Sequence, residues 1–124
     1  MNKFFFRTIL GSIIWILPLI TSFIVWDIEN NAPAISHLWF NALMIFMFII
    51  GFSISSSLWF KKYKKNTLKD GLYTGIHWYV QLSLLDLIVL VGAFNMVQTD
   101  YYPLLLTYLT VVPLMYTMGK LLEK

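Results

Sequence analysis

The stretch His77–Phe94, HWYVQLSLLDLIVLVGAF, decides the fold. It is almost continuously apolar, and it extends back to Leu72, so it reaches the length of about 20 residues that a helix needs to cross a roughly 30 Å hydrocarbon core. One carboxylate, Asp86, stands near its middle. Placing an acid there costs about 2.5 to 3.5 kcal/mol on insertion scales, which makes Asp86 a functional candidate by default. A protonated Asp costs less. The structural alternative is a neutral Asp that ties its helix to Thr110 or Asn41 through hydrogen bonds worth about 0.6 to 2 kcal/mol. The sequence leaves both readings open.

Working outward, three further runs have the same character: Phe4 to Trp26, Ile35 to Phe60 and Tyr102 to Leu122, beside the run from Leu72 to Phe94. Of the 124 residues, 59% are hydrophobic and 12% charged, against roughly 25% charged in an ordinary soluble domain; the mean hydropathy is +0.72. Barrel strands would alternate apolar and polar letters over about ten residues, and these runs do not. Helices also satisfy every backbone group within the segment, as lipid demands. The first run opens with Lys3 and Arg7 but continues to Trp26 without a small-residue cleavage site, so it reads as an uncleaved helix and not as a signal peptide. The expectation is an all-α, polytopic four-transmembrane-helix bundle forming a single domain over residues 1–124, with connections too short for a soluble head.

Orientation follows from the basic residues. Lys3 and Arg7 stand at the start of the first run, Lys61, Lys62, Lys64, Lys65 and Lys69 join the second to the third, and Lys120 and Lys124 close the chain. All nine Lys and Arg fall on one side, whereas the opposite connections hold Asp27, Glu29 and Asp100. The positive-inside rule then places both termini in the cytoplasm, in a multi-pass protein of the cytoplasmic membrane. Such a bias disfavours an antiparallel dual-topology dimer, which needs near-balanced loops.

Local signals suggest boundaries and packing. Thr67 with Asp70 three residues later resembles a capping box for the third helix. Pro33 and Pro103 suit the first turns of the second and fourth helices. Pro113 predicts a bend in the fourth. Trp26, Trp39, Tyr101 and Tyr102 at one end, and Trp59, Tyr63, Tyr73 and Trp78 at the other, read as aromatic belts. Trp15 lies mid-helix, where its indole N–H calls for a partner inside the bundle. Gly51 and Ser55, Ser53 and Ser57, then Gly71 and Gly75 repeat at a spacing of four, which favours a close packing seam between the second and third helices over a glycine-lined path.

Asp86 lies eight residues from Phe94, about 12 Å below that end of the run. The same count inward on the other runs reaches Pro18, Leu43 and Thr110. Thr21, Ser22, Asn41, Thr107 and Thr110 lie within about a turn of that level. The candidate intramembrane polar site is therefore Asp86 and Ser83 with Thr110, Thr107, Asn41 and Thr21. On the third helix Gly75, Tyr79, Leu82, Ser83, Asp86 and Ala93 share a side. His77 lies nearly opposite Asp86 and pairs along its own stripe with Gln81. This cytoplasmic-side pair reads as binding water, headgroups or a neighbouring helix in preference to transferring protons.

Several chemistries find no residues. The chain has no Cys, which removes thiol redox catalysis, disulfides and thiolate metal sites. Two His, one opening the second helix and the other near the start of the third, cannot serve two bis-histidine haems or face each other across one. No metalloprotease helix motif, nucleophile elbow or phosphate loop is present. No enzyme and no cofactor is expected. The KKYKK loop, with Lys61, Lys62, Lys64 and Lys65, reads as an orientation signal and headgroup anchor and not as a nucleic-acid site.

The segments KDGLYTGIHWYVQLSLLDLIVL and YLTVVPLMYTMGKLLEK resemble the third and closing helices of small four-helix prokaryotic integral membrane proteins of unassigned function. The matching letters are Lys69, Asp70, Gly71, Gly75, Trp78 and Asp86, then Pro113 and Gly119. The resemblance implies the fold and a prokaryotic cytoplasmic membrane, and it supplies no substrate. Two functions are expected. One is a non-enzymatic accessory or assembly subunit, partnered by the lipid bilayer and by its own copies or another membrane protein. The alternative is a small transporter or channel element using Asp86, Ser83 and Thr110, with proton coupling as one form of it. Water at Asp86 favours transport; a dry, paired Asp86 favours structure.

Overall fold

The computed structural model describes residues 2–30, 32–93 and 98–123. The Phe94 end of the third run and Lys124 lie outside the described residues, as do the side chains of Ala93 and Asp100. The described chain is overwhelmingly helical: α1 is Lys3–Ile24, α2 His37–Lys62, α3 Thr67–Asp86, α4 Gln98–Leu109 and α5 Val111–Leu122. A π-helical stretch, Leu87–Ala93, continues α3 directly. By length and composition, four helical segments suffice to cross a membrane: Lys3–Ile24, His37–Lys62, Thr67–Gly92 and Tyr101–Leu122.

The ends of these helices have local causes. Asn2 caps α1 by accepting from Phe5 N at 2.8 Å, and Ser36 caps α2 by accepting from Trp39 N at 3.3 Å. Pro33 does not open α2. It lies in a two-residue strand, β2 (Ala32–Pro33), paired antiparallel with β1 (Trp26–Asp27) so that Trp26 faces Pro33. The turn between them is an Asx arrangement: Asn30 Nδ2 donates to Asp27 Oδ2 at 2.7 Å and Glu29 N to Oδ1 at 3.1 Å. Hydrogen bonds from the side chain and backbone of Asn30 hold the Asp27 carboxyl below its ordinary range.

The capping box at Thr67 does not form either. Asn66 holds the cap position with a left-handed φ of 53° and no side-chain cap bond, which Asn tolerates better than most residues. Thr67 instead donates to the Gly119 carbonyl at 2.6 Å, and Asp70 pairs with Lys3 at 2.6 Å. Both groups are drawn away from the local cap by tertiary partners. Pro103 sits inside α4, because that helix starts at Gln98 and not at Tyr102. The fourth run breaks where Pro113 predicts: with no N–H at 113, the Leu109 carbonyl loses its usual donor, α4 ends, and α5 begins after Thr110.

Packing pairs the helices differently from the sequence expectation. Gly51 and Ser55 of α2 face α1, not α3, while Ser53 and Ser57 are exposed: Ser55 Oγ donates to the Leu10 carbonyl at 2.8 Å, and a Cβ on Gly51 would lie 3.0 Å from Ile14 Cα. The glycines of α3 face α5. A Cβ on Gly75 would meet Met115 Cβ and Val112 Cα, each at 3.1 Å, and Gly119 lies against the Thr67 backbone. Spacing of four identifies a small-residue face without saying which helix uses it. The core joins Leu10, Ile14, Phe48, Phe52, Trp59, Trp78, Leu82, Val111 and Met115. Trp59 and Trp78, expected in an aromatic belt, are fully buried within it.

The outward surface is apolar. Leu38, Phe46, Ile49, Ile88, Leu106 and Leu114 are exposed along its length. The described basic residues gather at one end, where Lys3 meets Asp70, Thr67 meets Gly119, and the α2–α3 lysines line a groove.

Candidate functional site

Asp86 ends the regular part of α3 and is 2% exposed. Trp15 Nε1 of α1 donates to its Oδ1 at 2.7 Å, and the Tyr108 hydroxyl of α4 donates to its Oδ2. Each carboxylate oxygen therefore has a donor from a different helix, the arrangement that lets a buried acid persist. The Trp15 partner is the one its mid-helix position calls for. Tyr108 was not singled out in the sequence, although its place in the fourth run, close to Thr107, carried the signal. Tyr101 completes the group by donating to the Ser83 carbonyl at 2.6 Å. That carbonyl also accepts from Leu87 N, the first residue of the π stretch.

The other polar groups at this level satisfy themselves locally. Thr21 donates to the Leu17 carbonyl at 2.9 Å, Thr107 to Pro103 at 3.3 Å and Thr110 to Thr107 at 2.6 Å. Asn41 is exposed on α2. Ser83 Oγ is buried without a hydrogen-bond partner among the described residues. The structure thus brings Ser83 next to the Asp86 group through its backbone and does not bring Asn41, Thr21, Thr107 or Thr110 into hydrogen bonds with the carboxylate. Depth along a helix sets a level; these hydroxyls then bond carbonyls of their own preceding turn, as Ser and Thr commonly do in helices.

A ladder of polar contacts runs from the basic end toward Asp86, between α1 and α3. Lys3 Nζ pairs with Asp70 Oδ2 at 2.6 Å, and Arg7 Nε donates to Thr74 Oγ1 at 2.8 Å. Trp78 Nε1 donates to the Arg7 carbonyl at 2.9 Å, and Thr8 Oγ1 lies 3.2 Å from His77 Nε2. Gln81 Nε2 donates to the Thr8 carbonyl at 2.9 Å and to Ser12 Oγ at 3.2 Å. Trp15 to Asp86 is the last rung. Residue numbers rise together on both sides, so α1 and α3 are parallel. His77 and Gln81 both meet Thr8, the neighbouring-helix option among their readings. Thr74, His77, Trp78 and Gln81 share one face, from which Asp86 is displaced by about 100° or more of helical turn. The long Trp15 indole bridges that offset.

The ladder fits backbone to backbone. Gly11 is buried directly against the Gln81 amide, where any Cβ would overlap it. Gln81 Oε1 and Trp59 Nε1 are buried without hydrogen-bond partners among the described residues. The Arg7 guanidinium lies 5.0 Å from the Trp59 ring centre, a cation–π contact that covers the indole face. Among the described residues no group of three or more His, Asp or Glu comes together as a metal centre requires.

Among the described residues, two surface grooves are lined without Asp86. One is lined by Ser56, Ser57, Phe60, Met118, Leu121 and Leu122, the other by Lys3, Lys61, Lys62, Tyr63, Lys64, Lys65, Asn66 and Asp70. No protein-family model, no curated protein and no solved structure matches the chain. The functional reading therefore rests on the geometry itself.

Proposed function

We propose that this chain is a non-enzymatic integral membrane protein of the cytoplasmic membrane, with both termini inside, acting as an accessory or assembly subunit. The exposed apolar girdle supports the membrane reading, since a monomer in water rarely exposes apolar patches beyond a few hundred Å². The one-sided basic residues support the orientation. The observation that carries the functional reading is the state of Asp86: buried, with both oxygens hydrogen-bonded, and away from either groove. A transport acid needs water or substrate to reach it. An acid that ties its own helix to two others instead fixes how the bundle is assembled, leaving the lipid-facing surface for its own copies or for another membrane protein.

Reconstituted vesicles loaded with a pH-sensitive dye test this. Under an imposed pH gradient, wild type and Asp86→Asn vesicles should leak protons no faster than empty ones. Proton flux present in wild type and abolished by Asp86→Asn would replace this reading with proton-coupled transport.

A further inference from the structure

The basic end carries a feature that neither orientation nor assembly requires. The exposed lysines of the α2–α3 connection line one open groove of ≈ 670 Å³, formed by Lys3, Lys61, Lys62, Lys64 and Lys65 with Tyr63 and Asp70. Topogenic lysines need only be on the correct side; nothing in that rule asks them to surround a concavity.

The charge within the groove is specific in number. Lys3 is neutralised by Asp70, the one acid in the lining, at 2.6 Å. Four lysines, Lys61, Lys62, Lys64 and Lys65, remain without an acidic partner there. Lys62 is held in place by its rings, 4.5 Å from the Phe6 centre and 5.6 Å from that of Tyr63. Lys3 lies 5.1 Å from the same tyrosine. Cations positioned by aromatic faces keep their N–H donors available for an anion. Four like charges around one groove repel one another, and a ligand bearing a single negative charge leaves most of that repulsion in place.

We infer that this groove binds the headgroup of an anionic lipid carrying two phosphates. The inference rests on the membrane reading above, because α2 ends at Lys62 and α3 begins at Thr67, which sets the groove at headgroup depth. Two phosphates match the lysine charge better than one. Basic pockets between helices on the cytoplasmic side are the sites at which such headgroups bind. Tyr63 supplies an amphipathic floor at the interface.

Native mass spectrometry of detergent-purified protein tests it, with cardiolipin as the diphosphate probe, phosphatidylglycerol as the single-phosphate probe and inorganic pyrophosphate as the soluble one. Wild type should retain cardiolipin at least about tenfold better than phosphatidylglycerol. Lys61→Gln/Lys64→Gln/Lys65→Gln should lose that retention by about tenfold or more, given that each basic residue contributes substantially at such a surface. The control Lys69→Gln/Lys120→Gln, which removes two positive charges at the same end but outside the groove lining, should keep it. Equal retention by the triple variant, or equal loss in the control, overturns the groove. Equal retention of the two lipids overturns the two-phosphate match, and pyrophosphate held as tightly as cardiolipin overturns the lipid source. Failure of the membrane reading is distinguishable: the chain would then stay monodisperse after detergent removal, whatever it binds.

Discussion

An Asp inside an apolar bundle is tolerated when its oxygens are spoken for, and the two donors of Asp86 come from side chains whose own burial needs an acceptor. The Trp15 indole N–H and the Tyr108 hydroxyl would each be costly without one. Removing one donor strands a carboxylate oxygen. Trp15→Phe and Tyr108→Phe should each therefore destabilise the protein by about 1 to 2 kcal/mol, measured as a fall in unfolding free energy in detergent. Asp86→Asn should cost a similar amount, because its NH₂ must face one of two donors. An Asn variant as stable as wild type would mean that only one of the two bonds contributes. The acid itself was legible in the sequence, as was the need of Trp15 for a partner. Which hydroxyl would meet the acid was not: Thr107, Thr110 and Tyr108 share a level, and helical phase and reach together select the tyrosine.

At the scale of the elements, stability depends on how closely backbones approach. At Gly75 the first atoms met by a Cβ are Met115 Cβ and Val112 Cα, both at 3.1 Å. Gly75→Ala should push α3 from α5 at a cost of about 1 to 3 kcal/mol. Gly92 is the internal control. Its nearest neighbour to a built Cβ is the Leu87 carbonyl oxygen at 3.6 Å, ordinary contact, so Gly92→Ala should shift stability by no more than about 0.5 kcal/mol. Paired melting curves read both, and equal effects would refute the seam. The four helices and their small-residue faces are visible in the letters because length and spacing are local properties. Partner choice is not local: α1 lies parallel to α3, and α2 turns Gly51 and Ser55 toward α1. Helix starts depend on distant partners for a related reason. Thr67 and Asp70 make a plausible cap until Gly119 and Lys3, more than fifty residues away in sequence, take their side chains.

For the whole molecule, the parallel α1–α3 pair forms the spine, with α2 laid on α1 and α5 on α3. The polar ladder runs between α1 and α3, with Asp86 buried at one end and Lys3 and Ser12 exposed along it, and the apolar surface faces out, the distribution expected where the solvent is lipid and the driving force between helices is packing and hydrogen bonding. Cysteines introduced at Glu29 and Lys65 test the orientation. An impermeant maleimide applied to intact cells should label the first and not the second, and the reverse pattern would invert the molecule. Both labelled together would mean a mixed topology, against the one-sided basic residues.

The most direct measurement is a double-mutant cycle on the last rung of the ladder: unfolding free energies of wild type, Trp15→Phe, Asp86→Leu and the double variant, in one detergent at neutral pH. If Asp86 serves to join α1 to α3, the two substitutions should be non-additive by about 0.6 to 2 kcal/mol, the double variant losing less than the sum. Additive losses, or an Asp86→Leu protein more stable than wild type, would contradict the account and mean that the acid is kept for a purpose other than holding the bundle together.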